Sequence, residues 1–384
     1  MSNWIADAEA ALSSRKRSPQ SSTDIDIVDT HRPALLDASS ARALLSPFFA
    51  AFMWAAVVFR ETQSHSSLDP FALLLRVLAL AMTLRALGVL WSFAQRLRLV
   101  MQWRRYGLVI TDEGLLFRAP DRDVVVQRED VLDVREQNAI ATAAQSGGRS
   151  ANVYVVTHPS SGRTHVELPP VFAASPRALS ERLMRWRGQA NETKALPSTT
   201  SEPLPSKLWD RSAAGEVLEG VVVIRHGNTW MKRGPYASML LGVAVLDGFI
   251  RLPTQAQQSI NPLPALLLAA ALVIVPGAWY LFTRASLRSR NGLALVLSPQ
   301  DLLSRGRGGV LRAAWSSVSR VEVYARSSWS LLQGGYTSRT LIVHRQREAS
   351  VQCAETFMDT PIEVVAALCD AYRKQAPAAV TSDA

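Results

Sequence analysis

The chain has 384 residues and a net charge of +10, with 48% hydrophobic and 19% charged residues. That length is a prior for two to three domains, and the apolar fraction is high for a soluble protein. Two cysteines, Cys353 and Cys369, have no metal-ligand spacing, which excludes a disulfide scaffold or zinc motif and suits buried thiols in a reducing compartment.

In chain order, residues 1–42 are polar, rich in Ser and Asp, and read as a disordered segment. Residues 43–95 hold two apolar blocks, 43–59 and 71–94, separated by a stretch without Lys or Arg. Spanning a ~30 Å hydrocarbon layer takes roughly 20 helical residues, so the pair is expected to form a transmembrane hairpin. Within it, Arg76 and Arg85 are intramembrane charges and functional candidates on that ground. Arg96, Arg98, Arg104 and Arg105 follow as a juxtamembrane basic cluster.

From 96 to 188 the hydrophobic period changes to two. Strands are expected at 108–111, 115–118, 124–127, 131–135, 153–157 and 165–168. A helix follows, capped by Ser175 with Pro176 in its first turn, and Leu179, Leu183 and Trp186 make its stripe. Residues 189–234 read as a linker by composition. It contains a strand candidate, 217–224, with no counterpart before the first hairpin.

The pattern then recurs. Residues 235–284 hold a second apolar pair, expected as a second hairpin, with Asp247 inside it and Arg284, Arg288 and Arg290 just after it. Arg76 and Asp247 fall near the outer ends of their helices, which suggests an ion pair between them. Residues 285–375 repeat the β-rich region, ending in a helix that starts at Thr360–Pro361 and carries the stripe Val364, Leu368 and Tyr372; residues 376–384 are a tail. At an offset of 187, Leu108, Val109, Leu115, Leu116, Arg118, Val131 and Val134 return as Leu295, Val296, Leu302, Leu303, Arg305, Val318 and Val321. The chain is a duplication. Basic flanks on both pairs place both termini and both β regions in the cytoplasm, integral to the cytoplasmic membrane through four helices. Charge so placed argues against nucleic acid as a partner.

The strand–turn–strand LVITDEGLLFR, the following REDVLDV, and the echoes LVLSPQDLLSR and WSSVSRV resemble the bacterial pleckstrin-homology-like (PH-like) membrane proteins, in tandem arrangement. The resemblance covers about three-quarters of the chain. It implies a membrane protein of the α+β class, in which each of two transmembrane hairpins precedes a small antiparallel β-barrel or sheet capped by a C-terminal helix. Relatives of that fold grip phosphoinositides with basic residues between their first two strands. Here those turns read TDEG and SPQD, so that mode does not carry over. The basic candidate is instead the loop with Arg305, Arg307 and Arg312, whose glycines expose backbone amides beside the guanidinium groups.

No nucleotide-binding, hydrolase or metalloprotease motif is present. The expected function is therefore non-catalytic, with no cofactor. Two cytoplasmic modules would bind a protein partner, each other, or an anionic lipid surface in a scaffold or regulatory role. The alternative is transport or lipid movement through the four helices.

Overall fold

The computed structural model describes residues 4–13, 25–33, 46–63, 70–137, 151–188, 204–227, 292–306, 309–330, 334–346, 348–355 and 358–376, together with helical positions Ile274, Ala278 and Leu281. Nearly all of them belong to two copies of one antiparallel module.

In the first copy, helix α1 (Trp4–Ser13) leads to strand β1 (Ile25–Val28). Helices α2 (Ser46–Gln63) and α3 (Pro70–Gln102) then pack together as a hairpin before the chain returns to the sheet. Strands β2 (Gly107–Thr111), β3 (Gly114–Ala119) and β4 (Arg122–Gln127) complete a four-stranded sheet in the order β1-β2-β3-β4. Strands β5 (Val131–Glu136), β6 (Val153–Thr157) and β7 (His165–Leu168) make a three-stranded sheet, and helix α4 (Pro176–Gly188) closes the module.

Sequence pattern follows burial strand by strand. In β4, Val124 and Val126 face the core while Val125 is exposed, the alternation of a strand with one wet face. Strand β2 is buried along its whole length. Its inward face meets Leu115, Phe117, Leu183 and Trp186. Its outward face is covered by α1, where Trp4 and Ala8 pack on Val109 and Leu116. A strand covered on both sides reads as a continuous apolar run. Gly114 lets the helix come close: a Cβ there would lie 2.6 Å from the Val126 carbonyl oxygen and 2.7 Å from the Trp4 ring.

The second copy repeats each part. Helix α5 (Pro205–Ala213) and strand β8 (Val222–Arg225) come first. Strands β9 (Leu293–Leu297), β10 (Asp301–Gly306) and β11 (Gly309–Ala314) join β8 in a sheet of order β11-β10-β9-β8. Strands β12 (Val318–Ser330), β13 (Gly334–Arg345) and β14 (Val351–Ala354) make the second three-stranded sheet, closed by helix α6 (Ile362–Gln375). Leu208 and Trp209 of α5 cover Val296 and Leu303, the positions that answer Val109 and Leu116. Matching hydrogen bonds close the turns after β2 and β9. Thr111 Oγ1 accepts from the Gly114 amide at 3.1 Å, and Ser298 Oγ accepts from the Asp301 amide at 3.1 Å.

The copies are fused through α6. Its own module and the outer face of β5–β6 sandwich it, so Leu132, Tyr154 and Val156 of the first copy share one core with Ile362, Val365, Leu368 and Cys369. Arg135 reaches Asp370 across the seam at 3.5 Å. By contrast α4 buries only Leu179, Leu183 and Trp186.

Several sequence expectations are corrected by this architecture. Among the described residues, no helix is long and apolar enough to cross a membrane. Helix α2 has 18 residues, about 27 Å, and its last turn is the polar Arg60-Glu61-Thr62-Gln63. Helix α3 has the length, with 33 residues, but carries Arg76, Arg85, Arg96 and Arg98 along it. The expected membrane-protein fold with two transmembrane hairpins, and the integral four-helix address in the cytoplasmic membrane, therefore do not hold. The sidedness of the termini rested on those spans and falls with them. Apart from Ile274, Ala278 and Leu281, the second apolar pair lies outside the described residues. Residues 1–42 are also more than a disordered lead, because they supply α1 and β1, and residues 208–234 supply part of α5 and β8.

Candidate functional site

The unit has one part that its β core does not require, the α2–α3 hairpin inserted between its first two strands. Pro47 sits in the first turn of α2, where a missing amide donor is harmless. Among the described side chains, Ala50 and Val57 of α2 and the small Ala79 and Ala86 of α3 are buried where the two helices pack. The Thr83 hydroxyl ties the helices, accepting from Trp54 Nε1 at 3.0 Å and donating to the Ala79 carbonyl at 2.8 Å.

Among the described side chains of the hairpin, several large apolar ones are uncovered. On α2, Phe48 is 73% exposed, Phe52 69% and Phe59 63%, with Phe49, Trp54 and Val58 beside them. On α3, Leu90, Trp91, Leu97 and Met101 are exposed. At the base, Leu99, Trp103 and Tyr106 pack against the first module's core, so the hairpin is rigidly rooted. Tyr106 stacks on Phe117 with ring centroids 6.2 Å apart. Burial, with Asp121 next, pushes its phenol pKa up, against the pull of Arg98.

Four of the arginines singled out from sequence form a collar at this base. Arg96 and Arg98 lie on the last turns of α3, and Arg104 and Arg105 on the short 3-10 turn that follows. The Arg104 guanidinium sits 5.4 Å from the Trp103 ring centre, a cation–π contact that keeps the charge at the junction. Arg76 and Arg85 lie higher on α3. Asp247, Arg284, Arg288 and Arg290 lie outside the described residues, and with Asp247 goes the suggested Arg76 pair.

Of the anion cradle expected at Arg305, Arg307 and Arg312, the described residues place Arg305 and Arg312. Arg305 pairs with Val310 in the β10–β11 ladder, which Gly306 and Gly309 close as a tight hairpin. Arg312 turns back to Asp301, with Nε 2.6 Å from a carboxylate oxygen of a side chain only 4% exposed. Arg307 lies outside the described residues.

A second polar cluster lies at the seam between the modules. Arg339 is 10% exposed and pairs with both Glu355 and Glu363. Burial alone would lower its pKa, but the Glu355 hydrogen bond and the Glu363 charge hold it above its usual value. Across the seam, the Tyr154 ring meets His165 edge-on at 5.9 Å, and Asn152 Nδ2 donates to Glu167 at 2.5 Å. Burial raises the pKa of Glu167 against the pull of Arg122, and burial lowers that of His165 against the pull of Asp359. The hydrogen bonds and ion pairs of each set lie within its own module.

Groups with catalytic or ligating chemistry are dispersed. His344 and Cys353 lie in adjacent strands but on opposite faces, His344 half-exposed near Glu322 and Cys353 facing the core. Cys369 is fully buried and its thiol pKa is pushed up, the inert form. Among the described residues no group of three or more His, Cys, Asp or Glu side chains could hold a metal ion.

Sequence reasoning had named the collar but missed the hairpin face as a surface, because an apolar block long enough to span a bilayer was taken as doing so. It also took TDEG as the connection between the first two strands. With β1 ahead of the hairpin, TDEG joins the second and third, and the hairpin itself joins the first pair. No known protein family, curated protein or solved structure matches this chain.

Proposed function

We propose that the chain is a non-catalytic binding protein whose two PH-like modules, fused into one body, present the α2–α3 hairpin to an anionic lipid surface. What supports PH-like modules is the arrangement of four strands, then three, then a closing helix, in both copies. What supports lipid is one juxtaposition. Ten large hydrophobic side chains stand exposed on the hairpin, five of them Phe or Trp on α2, and an arginine collar sits at its root. A contiguous exposed apolar face marks an interaction site. Each Phe moved from water into an apolar layer contributes about 1.5–3 kcal/mol, and each arginine near an anionic leaflet about 1 kcal/mol. A helix pair with this distribution lies in the interface with its aromatic face in the acyl boundary, which is a different state from crossing it. Transport needs a spanning pathway, and the described helices do not offer one.

The test is flotation of the full chain with vesicles of phosphatidylcholine alone or mixed with phosphatidylglycerol. Binding is expected to favour the anionic mixture, to drop more than tenfold in Phe48→Ser/Phe52→Ser/Phe59→Ser, and to lose its anionic preference in Arg104→Glu/Arg105→Glu. Equal flotation of the triple variant and the parent, or no flotation of the parent, overturns the reading.

A further inference from the structure

The seam between the modules is asymmetric, and both of its unused ends carry charge. On one side is the outer face of β5–β6, with Leu132, Tyr154 and Val156 all 5% exposed or less. On the other is α6, buried on nearly every side from Ile362 to Tyr372. Such a contact joins two different patches. In a duplicated unit the same pair of patches exists twice, so nothing in its geometry stops it from repeating between chains, and a heterologous contact that repeats builds open filaments.

The equivalent patches can be identified by register. Strands β5 and β6 pair Val134 with Val155, and β12 and β13 pair Val321 with Val343, each after an irregularity at the same place. Leu132, Tyr154 and Val156 therefore correspond to Ser319, Ile342 and His344. Ser319 is exposed, and the His344 side chain is 39% exposed beside Glu322, itself paired with Arg320 at 3.1 Å. The helix side has changed as well. Aligning Pro176 with Pro361, the outward Ile362, Ala366 and Ala367 of α6 answer to Arg177, Glu181 and Arg182 of α4. The Arg177 side chain is 80% exposed and paired with Glu181 along the helix, while Arg182 is turned to Asp26.

We infer that the helix-on-sheet seam is the unit's pairing surface, that its proper occupant is α6 of the same chain, and that polar substitution at both free ends keeps a second copy from docking through it. A second copy would have to desolvate the Arg320–Glu322 pair and His344 on one partner and the Arg177–Glu181 pair on the other, with only Ile342 and Met184 to offer apolar contact in return. This assigns one interface to the interior of the chain and leaves the hairpin as the surface offered to other molecules. It does not depend on what the hairpin binds.

Two complementary variants test it. One opens the sheet face, Ser319→Leu/Ile342→Tyr/His344→Val. The other opens the helix face, Arg177→Ile/Glu181→Ala/Arg182→Ala. Each is first checked for the parental circular dichroism spectrum and unfolding midpoint, and if a triple variant fails that check its double (Ser319→Leu/His344→Val or Arg177→Ile/Glu181→Ala) replaces it. Light scattering on each alone is expected to give the parental mass, and on their mixture a species of twice that mass. No heavier species in the mixture overturns the inference. So does a parental chain that cross-links through a cysteine placed at Met184 on α4 and one at Ile342 on β13.

Discussion

Two tryptophans show how the copies kept a contact while exchanging the residues that make it. Trp186 Nε1 donates to the Thr111 carbonyl at 2.7 Å, and Trp315 Nε1 donates to the equivalent Ser298 carbonyl at 2.7 Å. Yet Trp186 comes from the closing helix and Trp315 from the 3-10 turn before β12. In the first copy the turn position holds Arg128, whose guanidinium lies 5.6 Å from the Trp186 ring centre. In the second copy Tyr372, one residue beyond the position that answers Trp186, stacks on Trp315 at 5.8 Å and 8°. The carbonyl at the strand end is buried and needs a donor, and either element can supply the indole. The seam histidine makes a prediction at the same scale. Burial lowers the His165 pKa below its usual 6.5, so the unfolded chain takes up this proton more readily than the folded one. The stability it contributes is complete above about pH 6.5 and is lost as pH falls through the folded value, with a slope of at most about 1.4 kcal/mol per pH unit. Glu167 works in the opposite direction. Its raised pKa gives stability that is present below the ordinary carboxylate range and is lost as pH rises from there through its raised folded value. Urea midpoints measured from pH 7 to pH 5.5 are expected to fall less steeply in His165→Gln than in the parent, and parallel slopes would refute the assignment.

At the scale of elements, β2 to β7 and the closing helix were legible in the sequence because each is a local pattern: alternation in β4, turn residues at TDEG and SPQD, and a Pro-initiated stripe in α4. Strand β1 was not, because four residues carry little periodic signal and its partner lies about 80 residues away. Its twin β8 escaped comparison for a related reason. Val28 pairs with Leu108 and Ile224 with Leu295, so the inserts differ in length and the offset of 187 fails ahead of them. Helix α1 was hidden because its partners, Val109 and Leu116, face outward on a sheet whose other side already looked sufficient for a core. The same misjudgement of long-range contacts made the apolar blocks look like membrane spans and left the hairpin face unseen as a surface. Trp4 measures what the covering helix contributes. It is 8% exposed and lies against Gly114, so Trp4→Ala removes a large buried side chain, and a loss of about 3–5 kcal/mol is expected. Chemical denaturation checks this, and a change under 1 kcal/mol would mean that α1 is only loosely laid on the sheet.

For the whole molecule, the deciding fact is that the two copies do not have separate interiors. The second copy's core contains Leu132, Tyr154 and Val156 of the first, so α6 cannot leave one module without uncovering the other. Two domains joined by a linker unfold independently when little apolar area is shared between them. Here a helix buried along most of its length is the shared wall, and one cooperative transition is expected for both modules. Val156 is the position to challenge, since it is 0% exposed and lies on the face of β6 that the first module's own core does not use. Val156→Asp would bury a carboxylate against α6 while leaving Leu108, Leu115, Phe117 and Val155 packed as before. Scanning calorimetry should then resolve two transitions where the parent shows one, and hydrogen exchange should place the earlier loss of protection in α6 and β12–β14. If the variant instead melts in a single step at a lower temperature, the seam is no weaker than the module cores. If the parent itself melts in two steps, the shared core does not couple the copies, and the hairpin is carried by a module that folds without its twin.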